Sequence, residues 1–311
     1  MNFNYLKQNW TTSIVYIILI ALLLVGSLLS DMFRTSNNLT NLMRQAVALG
    51  IVSTGQTLVL LSAGIDLSVG SVISLTTCLT TGLICGRESM VFPVVTLVIV
   101  LALLIGFCNG FIIVRTHVSP LIVTLAMMSI IQGVVLLYTN APVGELPSSF
   151  GFLAWGMVGL IPFPIFILAA VAVAAILVQK QTPFGRYLFA TGGNEEIARR
   201  SGIRVDRVRI FVYMVCSLTA ALTGIFLASR MGQGDPMAGE RYMIDSLIPP
   251  LIGGTSLMGG RGGVVGTIAG TFILTVVSNI FNLLDVETYW QWVMTGSIVI
   301  IAVAFYGKET A

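Results

Sequence analysis

Ionisable side chains are scarce in this 311-residue chain, where Asp, Glu, Lys and Arg together make up only 9%. A soluble domain carries about a quarter, so a surface facing water on all sides is excluded. Histidine occurs once, at His117. A metal centre needs several convergent ligands, and none can be assembled around it, so His117 reads as a snorkelling residue at an interface. With one histidine and no catalytic constellation, the composition also argues against an enzyme. The phosphate-cradling pattern Gly-x-x-x-x-Gly-Lys-Ser/Thr is missing, and Gly307-Lys308-Glu309-Thr310 does not fulfil it. ATP binding by such a loop is therefore excluded. Cys78, Cys85, Cys108 and Cys216 lie in apolar runs without paired spacing. They read as small buried residues rather than as a disulfide or metal framework. The formal net charge of +3 is too weak and too localised to argue for nucleic acid.

Apolar sequence fills the space that charge leaves: 56% of residues are hydrophobic and the mean hydropathy is +0.96. A spanning helix needs roughly 20 mainly apolar residues. Ten segments qualify, at 12–30, 42–62, 67–86, 92–114, 119–138, 163–180, 207–229, 241–258, 263–284 and 289–306. The first has no small-x-small cleavage site before Asp31 and reads as a retained helix rather than a signal peptide. Gly, Ser and Thr dilute the segments at 42–62, 67–86 and 241–258. Small residues permit close helix approach in lipid, so these three are expected inside the bundle. The loop 179–209 holds Lys180, Arg186, Arg199, Arg200, Arg204, Arg207 and Arg209, seven of the chain's sixteen cations. Positive loops stay cytoplasmic, and counting spans from this loop puts both termini, with Lys7 and Lys308, on that side. The expected fold is an all-α polytopic membrane protein, a single transmembrane domain over 1–311 with the loop 179–209 within it.

Two stretches resemble each other, Ala63-Gly64-Ile65-Asp66-Leu67-Ser68-Val69 and Tyr242-Met243-Ile244-Asp245-Ser246-Leu247-Ile248. Asn109-Gly110 and Asn282-Leu283 form a second pair. On this reading spans two to five match spans seven to ten. An odd offset reverses each helix, which makes an inverted repeat of the kind that builds a solute path at the repeat interface.

Asp66 sits between Gly64 and Gly70 in apolar sequence. A carboxylate at membrane depth marks a functional position by default, and here it is also placed to cap the helix that follows. Gln56, Asn109, Gln132, Asn279 and Asn282 lie within apolar spans, where they either meet a polar solute or join helix to helix. The run Gly253-Gly254-Thr255-Ser256-Leu257-Met258-Gly259-Gly260-Arg261-Gly262-Gly263 reads as non-helical backbone or close helix contact.

The loop is the most specific feature. Thr182-Pro183-Phe184-Gly185-Arg186 leads to Gly192-Gly193 and then to a short punctuated helix. Asn194 is its N-cap, Glu195 and Glu196 fill its first turn, Arg199 and Arg200 its last, and Gly202 follows its end. With Ile197 and Ala198 between, such a helix standing in water suits docking into a groove on a partner.

These blocks, together with Gly64-Ile65-Asp66-Leu67-Ser68-Val69-Gly70-Ser71 and Ile252-Gly253-Gly254-Thr255-Ser256-Leu257-Met258-Gly259-Gly260, resemble the permease subunits of bacterial ABC importers for monosaccharides, of the ribose, xylose, galactose and autoinducer-2 type. The resemblance covers nearly the whole chain. It implies a pair of permeases, homo- or heteromeric, in the inner membrane. Each docks Asn194 to Gly202, the family's coupling helix, on an ATP-binding subunit that holds ATP and Mg. A periplasmic sugar-binding protein delivers the solute, and this chain itself holds no cofactor. The family usually reads Glu-Leu-Asp-Ala-Ile-Ala-Ala where this chain has Met243-Ile244-Asp245-Ser246-Leu247-Ile248-Pro249-Pro250, so a carboxylate is lost and a proline pair gained. The alternative is an ion-coupled secondary transporter or a channel, for which Asp66 and Asp245 are the candidate coupling sites.

Overall fold

The computed structural model describes residues 3–287, 289–294 and 296–297, with side chains from Ser13 onward. Among the described residues, thirteen α-helices precede the helical residues 289–294 and 296–297: α1 (Phe3–Leu29), α2 (Ser36–Leu61), α3 (Val69–Ile84), α4 (Val91–Thr116), α5 (Pro120–Tyr138), α6 (Phe152–Trp155), α7 (Phe163–Gln181), α8 (Pro183–Gly193), α9 (Glu195–Arg200), α10 (Val205–Met231), α11 (Tyr242–Asp245), α12 (Ile248–Ile252) and α13 (Val264–Leu283). Strands β1 (Met157–Val158) and β2 (Ile161–Pro162) form a two-residue hairpin. Local chemistry sets many of the boundaries. Thr35 accepts a hydrogen bond from the Asn38 N–H and starts α2, while Pro120 and Pro183 occupy first-turn positions of α5 and α8, where their missing N–H costs nothing.

Contacts between distant segments define two ends of the bundle. At the loop end, Gly260 N donates to Leu61 O, Thr124 Oγ1 to Ile65 O, and Gln179 Nε2 to Gly262 O. At the opposite end, Val143 and Gly234 bridge antiparallel, Gly86 N donates to Glu145 O, and Ser229 Oγ donates to Phe150 O. The long helices run alternately between the two.

Among the described residues five helices are long and apolar enough to cross a membrane, and they divide by burial. The windows in α4, α5 and α7 are 22% buried, against 67% for those in α10 and α13. α2 and α3, diluted by Gly, Ser and Thr, are buried over most of their length. The main core cluster joins α2, α3, α4, α5, α6, α7, α8 and α10 with the start of α13. Small residues let backbones meet: a Cβ on Gly106 or Gly110 of α4 would lie 2.5 Å from Tyr213 O or 2.6 Å from Ile210 Cα on α10. On α13, a Cβ on Gly266 or Gly270 would lie 2.0 Å from Gly253 O or 2.3 Å from Pro249 O. Both pairs are Gly-x-x-x-Gly, the close-packing pattern of membrane helices.

Two expectations change. The segment 241–258 is not one span: Gly232 to Arg241 is non-helical, α11 and α12 are short, and turns follow from Gly253. Pro249 and Pro250 have no N–H to give the carbonyls of Asp245 and Ser246, so the helix cannot run through. The cysteines are not all buried. Cys78 and Cys216 are, whereas Cys85 lies exposed in a left-handed turn after α3 and Cys108 is exposed on α4. The glycine run from Gly253 to Gly263 serves both of its expected roles. It holds four left-handed glycines, at Gly254, Gly259, Gly260 and Gly262, and Gly253 packs backbone to backbone on Gly266. Of the expected last span, 289–306, only 289–294 and 296–297 are described, all helical; the rest, with Lys308, lies outside the described residues.

Candidate functional site

The loop-end helix α9 is capped at both termini. Asn194 Oδ1 accepts from Ile197 N at 3.0 Å. After Ser201, Gly202 turns left-handed at φ +81°. Ile203 N then reaches Ala198 O at 3.1 Å and Gly202 N reaches Arg199 O at 3.0 Å, the paired bonds of a Schellman motif. The two faces of α9 differ. Ala198 is 3% exposed and turned inward, while Ile197 is 62% exposed. Glu195 takes two hydrogen bonds from Arg199 and a third contact of 2.7 Å from Arg209, on α10. Arg199 also bonds Asp206, on the first turn of α10. Those bonds, to Asp206 first and Glu195 second, raise the Arg199 pKa above the ordinary arginine value. Among the described residues Glu196 and Arg200 pair only with each other, at 2.6 Å, and stay open to solvent. Exposed pairs contribute little stability; what these fix is direction, tying one face of α9 to α10 and leaving Ile197, Glu196 and Arg200 outward.

Behind α8 three stretches of main chain touch. A Cβ on Gly192 would sit 1.8 Å from Leu61 O and 2.7 Å from Gly260 N, and one on Gly259 would sit 2.8 Å from Ala63 N. Among the described residues no side chain separates the end of α8 from the end of α2 or from the glycine run.

Just beyond lies Asp66, fully buried. Its Oδ1 accepts from Ser68 N at 2.9 Å and from Ser68 Oγ at 2.6 Å, at the start of α3. Asn109 Nδ2, from α4, donates to the same Ser68 Oγ at 2.9 Å. Asp66 and Asn109 are thus brought together through Ser68, which the sequence reading did not single out. Gln56 is buried nearby and accepts from Cys216 Sγ at 3.3 Å. Gln132 and Asn279 instead join elements at the opposite end. Gln132 Nε2 donates to Pro236 O at 3.0 Å, and Asn279 forms a reciprocal amide pair with Asn38 at 2.8 and 3.0 Å.

Asp245 and Asn282, far apart in sequence, meet on the wall of one cavity of about 330 Å³ at that opposite end. Arg230, Arg241, Tyr242, Gln45, Ser278 and Gln291 share it, and none of these was anticipated. Met243, standing where the resemblance places a carboxylate, packs its Cβ toward Gly70 and is not part of this lining.

A family described as the permease component of branched-chain amino acid transport systems matches residues 38–303, and the chain belongs to that family. The ribose import permease protein RbsC of Escherichia coli K12 is 38% identical, over 94% of this chain and 92% of its own length. RbsC of Bacillus subtilis 168 is 37% identical over the same shares. The xylose transport system permease protein XylH of Escherichia coli K12 is 31% identical over 97% and 93%. No solved structure matches.

Proposed function

We propose that this chain is the membrane-spanning permease subunit of an ABC importer, passing a monosaccharide or similar small polyol across the bacterial inner membrane. The observation that carries the reading is the length of the likeness to ribose permeases, above nine-tenths of both chains. In this reading both termini and the loop 179–209 are cytoplasmic, which accords with the seven cations of that loop. The outward face of α9, with Ile197, Glu196 and Arg200, docks on an ATP-binding subunit that supplies the hydrolysis. A second permease copy or paralogue completes the path, and a periplasmic sugar-binding protein feeds it from the opposite end.

The inverted repeat belongs to the same proposal. Exchanging α2 with α10, and α4 with α13, turns the α2–α13 contact into the α10–α4 contact, and both occur. Each first helix is followed by non-helical chain, at Ala63–Ser68 on the loop end and at Gly232–Arg241 on the other.

Proteoliposomes holding the assembled importer test the reading. Uptake of labelled pentose is expected to persist when ionophores collapse proton and sodium gradients, and to stop when ATP is withheld. Uptake that follows the gradient and ignores ATP would return the ion-coupled alternative.

A further inference from the structure

Within the import reading, the cavity at the opposite end has chemistry that a passive channel does not need. Its walls come from α2 (Gln45, Leu49), the end of α10 (Arg230), α11 with the residue before it (Arg241, Tyr242, Asp245), and α13 (Leu274, Thr275, Ser278, Asn282), with Gln291 closing one side. Leu274 lies nine residues before the end of α13, so at 1.5 Å per residue the floor is about 14 Å below that end. The floor residues Leu49 and Leu274 are apolar; above them the wall is polar.

The polar groups are held in place but not used up. Asp245 Oδ2 accepts from Arg241 Nε at 2.7 Å, with the Asp245 side chain 18% exposed. Its second oxygen has no hydrogen-bond partner among the described residues. The Arg230 guanidinium and the Gln45 amide likewise make no hydrogen bond or ion pair among them. Gln291 Nε2 donates to Asn282 Oδ1 at 2.8 Å and to Val286 O at 3.1 Å, which leaves the Asn282 Nδ2 donor and the Gln291 Oε1 acceptor open. One carboxylate oxygen, one guanidinium and three amide groups therefore remain available around a space at the lower limit of ordinary ligand pockets, roughly 300 Å³. Such a set matches a ring bearing several hydroxyls, each of which donates and accepts, with the Tyr242 ring and the leucine floor meeting its C–H face. Hydrogen bonds that involve a charged group are the stronger ones, and here they replace the water that a sugar leaves behind.

We propose that this cavity is a selecting site for a single neutral monosaccharide, held mainly by Arg230 and Asp245 and read by Gln45, Asn282 and Gln291, so that the permease itself discriminates among solutes after delivery. The inference rests on the import reading but goes beyond it, because an importer could equally leave all choice to the delivery protein.

The test uses the assembled importer with its ATP-binding and periplasmic subunits in proteoliposomes, given D-ribose, D-xylose or D-galactose, with D-gluconate as an anionic arm. R230Q, D245N, N282A and Q45A are each expected to change the relative uptake of the three neutral sugars by about tenfold, the scale of one charge-assisted hydrogen bond. A merely structural role would lower all uptake in proportion and leave the ratios alone. As a measurement that needs no disabling variant, S278C is alkylated by a maleimide in the same assembly, and the transported sugar is expected to slow that alkylation at least fivefold. Wild-type ratios in all four variants together with unprotected S278C overturn the proposal. Preferred uptake of D-gluconate by the wild type overturns its neutral-sugar assignment. A wild type that carries none of these solutes overturns the import reading itself, and this proposal with it.

Discussion

A carboxylate with no exposure inside an apolar bundle is tolerated only where hydrogen bonds meet it. For Asp66 they come from one neighbour, Ser68, whose hydroxyl also receives the Asn109 amide. Ser68→Ala removes one donor from Asp66 and the acceptor from Asn109. It is expected to cost about 1–3 kcal/mol, the scale of leaving a buried polar group unsatisfied, and to lower the unfolding temperature of the purified permease. Ser68→Thr, which keeps the hydroxyl, is expected to recover most of that loss; an unchanged melting curve for Ser68→Ala would discard the hub. Asp66 was legible in the sequence, because an acidic residue flanked by glycines stands out among leucines and valines. Its partners were not, since Asn109 reaches Ser68 only once Gly106 and Gly110 seat α4 against α10. The same holds for Arg230 and Gln45. Gln45 follows Arg44 on α2 and Arg230 follows Ser229 on α10, so neither stands out among its neighbours, and only folding puts them on one wall with Asp245.

Helices divide into those that the sequence punctuates and those that tertiary contact shapes. α9 is of the first kind: Asn194, the Glu and Arg pairs and Gly202 stand where a capped helix needs them, and its ends were readable without the fold. Asn194→Ala is expected to cost about 1 kcal/mol of local stability, seen as faster amide exchange across α9. Its two faces give separable outcomes. Ile197→Asp is expected to weaken retention of the ATP-binding subunit on pull-down, because it charges the outward face. Glu195→Gln is expected to keep that retention yet lower the uptake obtained per ATP hydrolysed, because it loosens α9 from Arg209 on α10. Loss of retention in the second variant and not in the first would reverse the assignment of faces. The segment 241–258 is of the second kind. Its hydropathy reads as a span, but Pro249 and Pro250 break the ladder and Gly253 binds it to α13 through bare backbone. Gly266→Leu, driven into the Gly253 carbonyl, is expected to abolish folded permease in a detergent size-exclusion profile. Gly133→Leu on α5, where a Cβ meets nothing within 4 Å, is expected to leave the profile unchanged.

Across the whole molecule hydropathy and burial run in opposite order. The α4 window has mean hydropathy 2.9 and is 22% buried, whereas the α13 window has 1.9 and is 67% buried. Lipid gives no drive to hide leucine, so the most apolar helices take the outside and the small, hydroxyl-bearing ones take the centre. The membrane class and the interior place of α2 and α3 were readable from that dilution alone. The arrangement of the bundle was not, because it depends on which glycines meet. Hydrogen exchange in detergent is expected to be slowest in α2, α3 and α10 and faster in α5 and α7, following local burial. The contact of Gly192, Leu61 and Gly260 has a mechanical meaning at this scale. Side chains absorb displacement by changing rotamer, but main chain pressed on main chain has no slack to take up. If the proposed docking at α9 moves α8 with it, that movement is expected to reach the end of α2 and the glycine run with little lost between, as through a joint with little backlash.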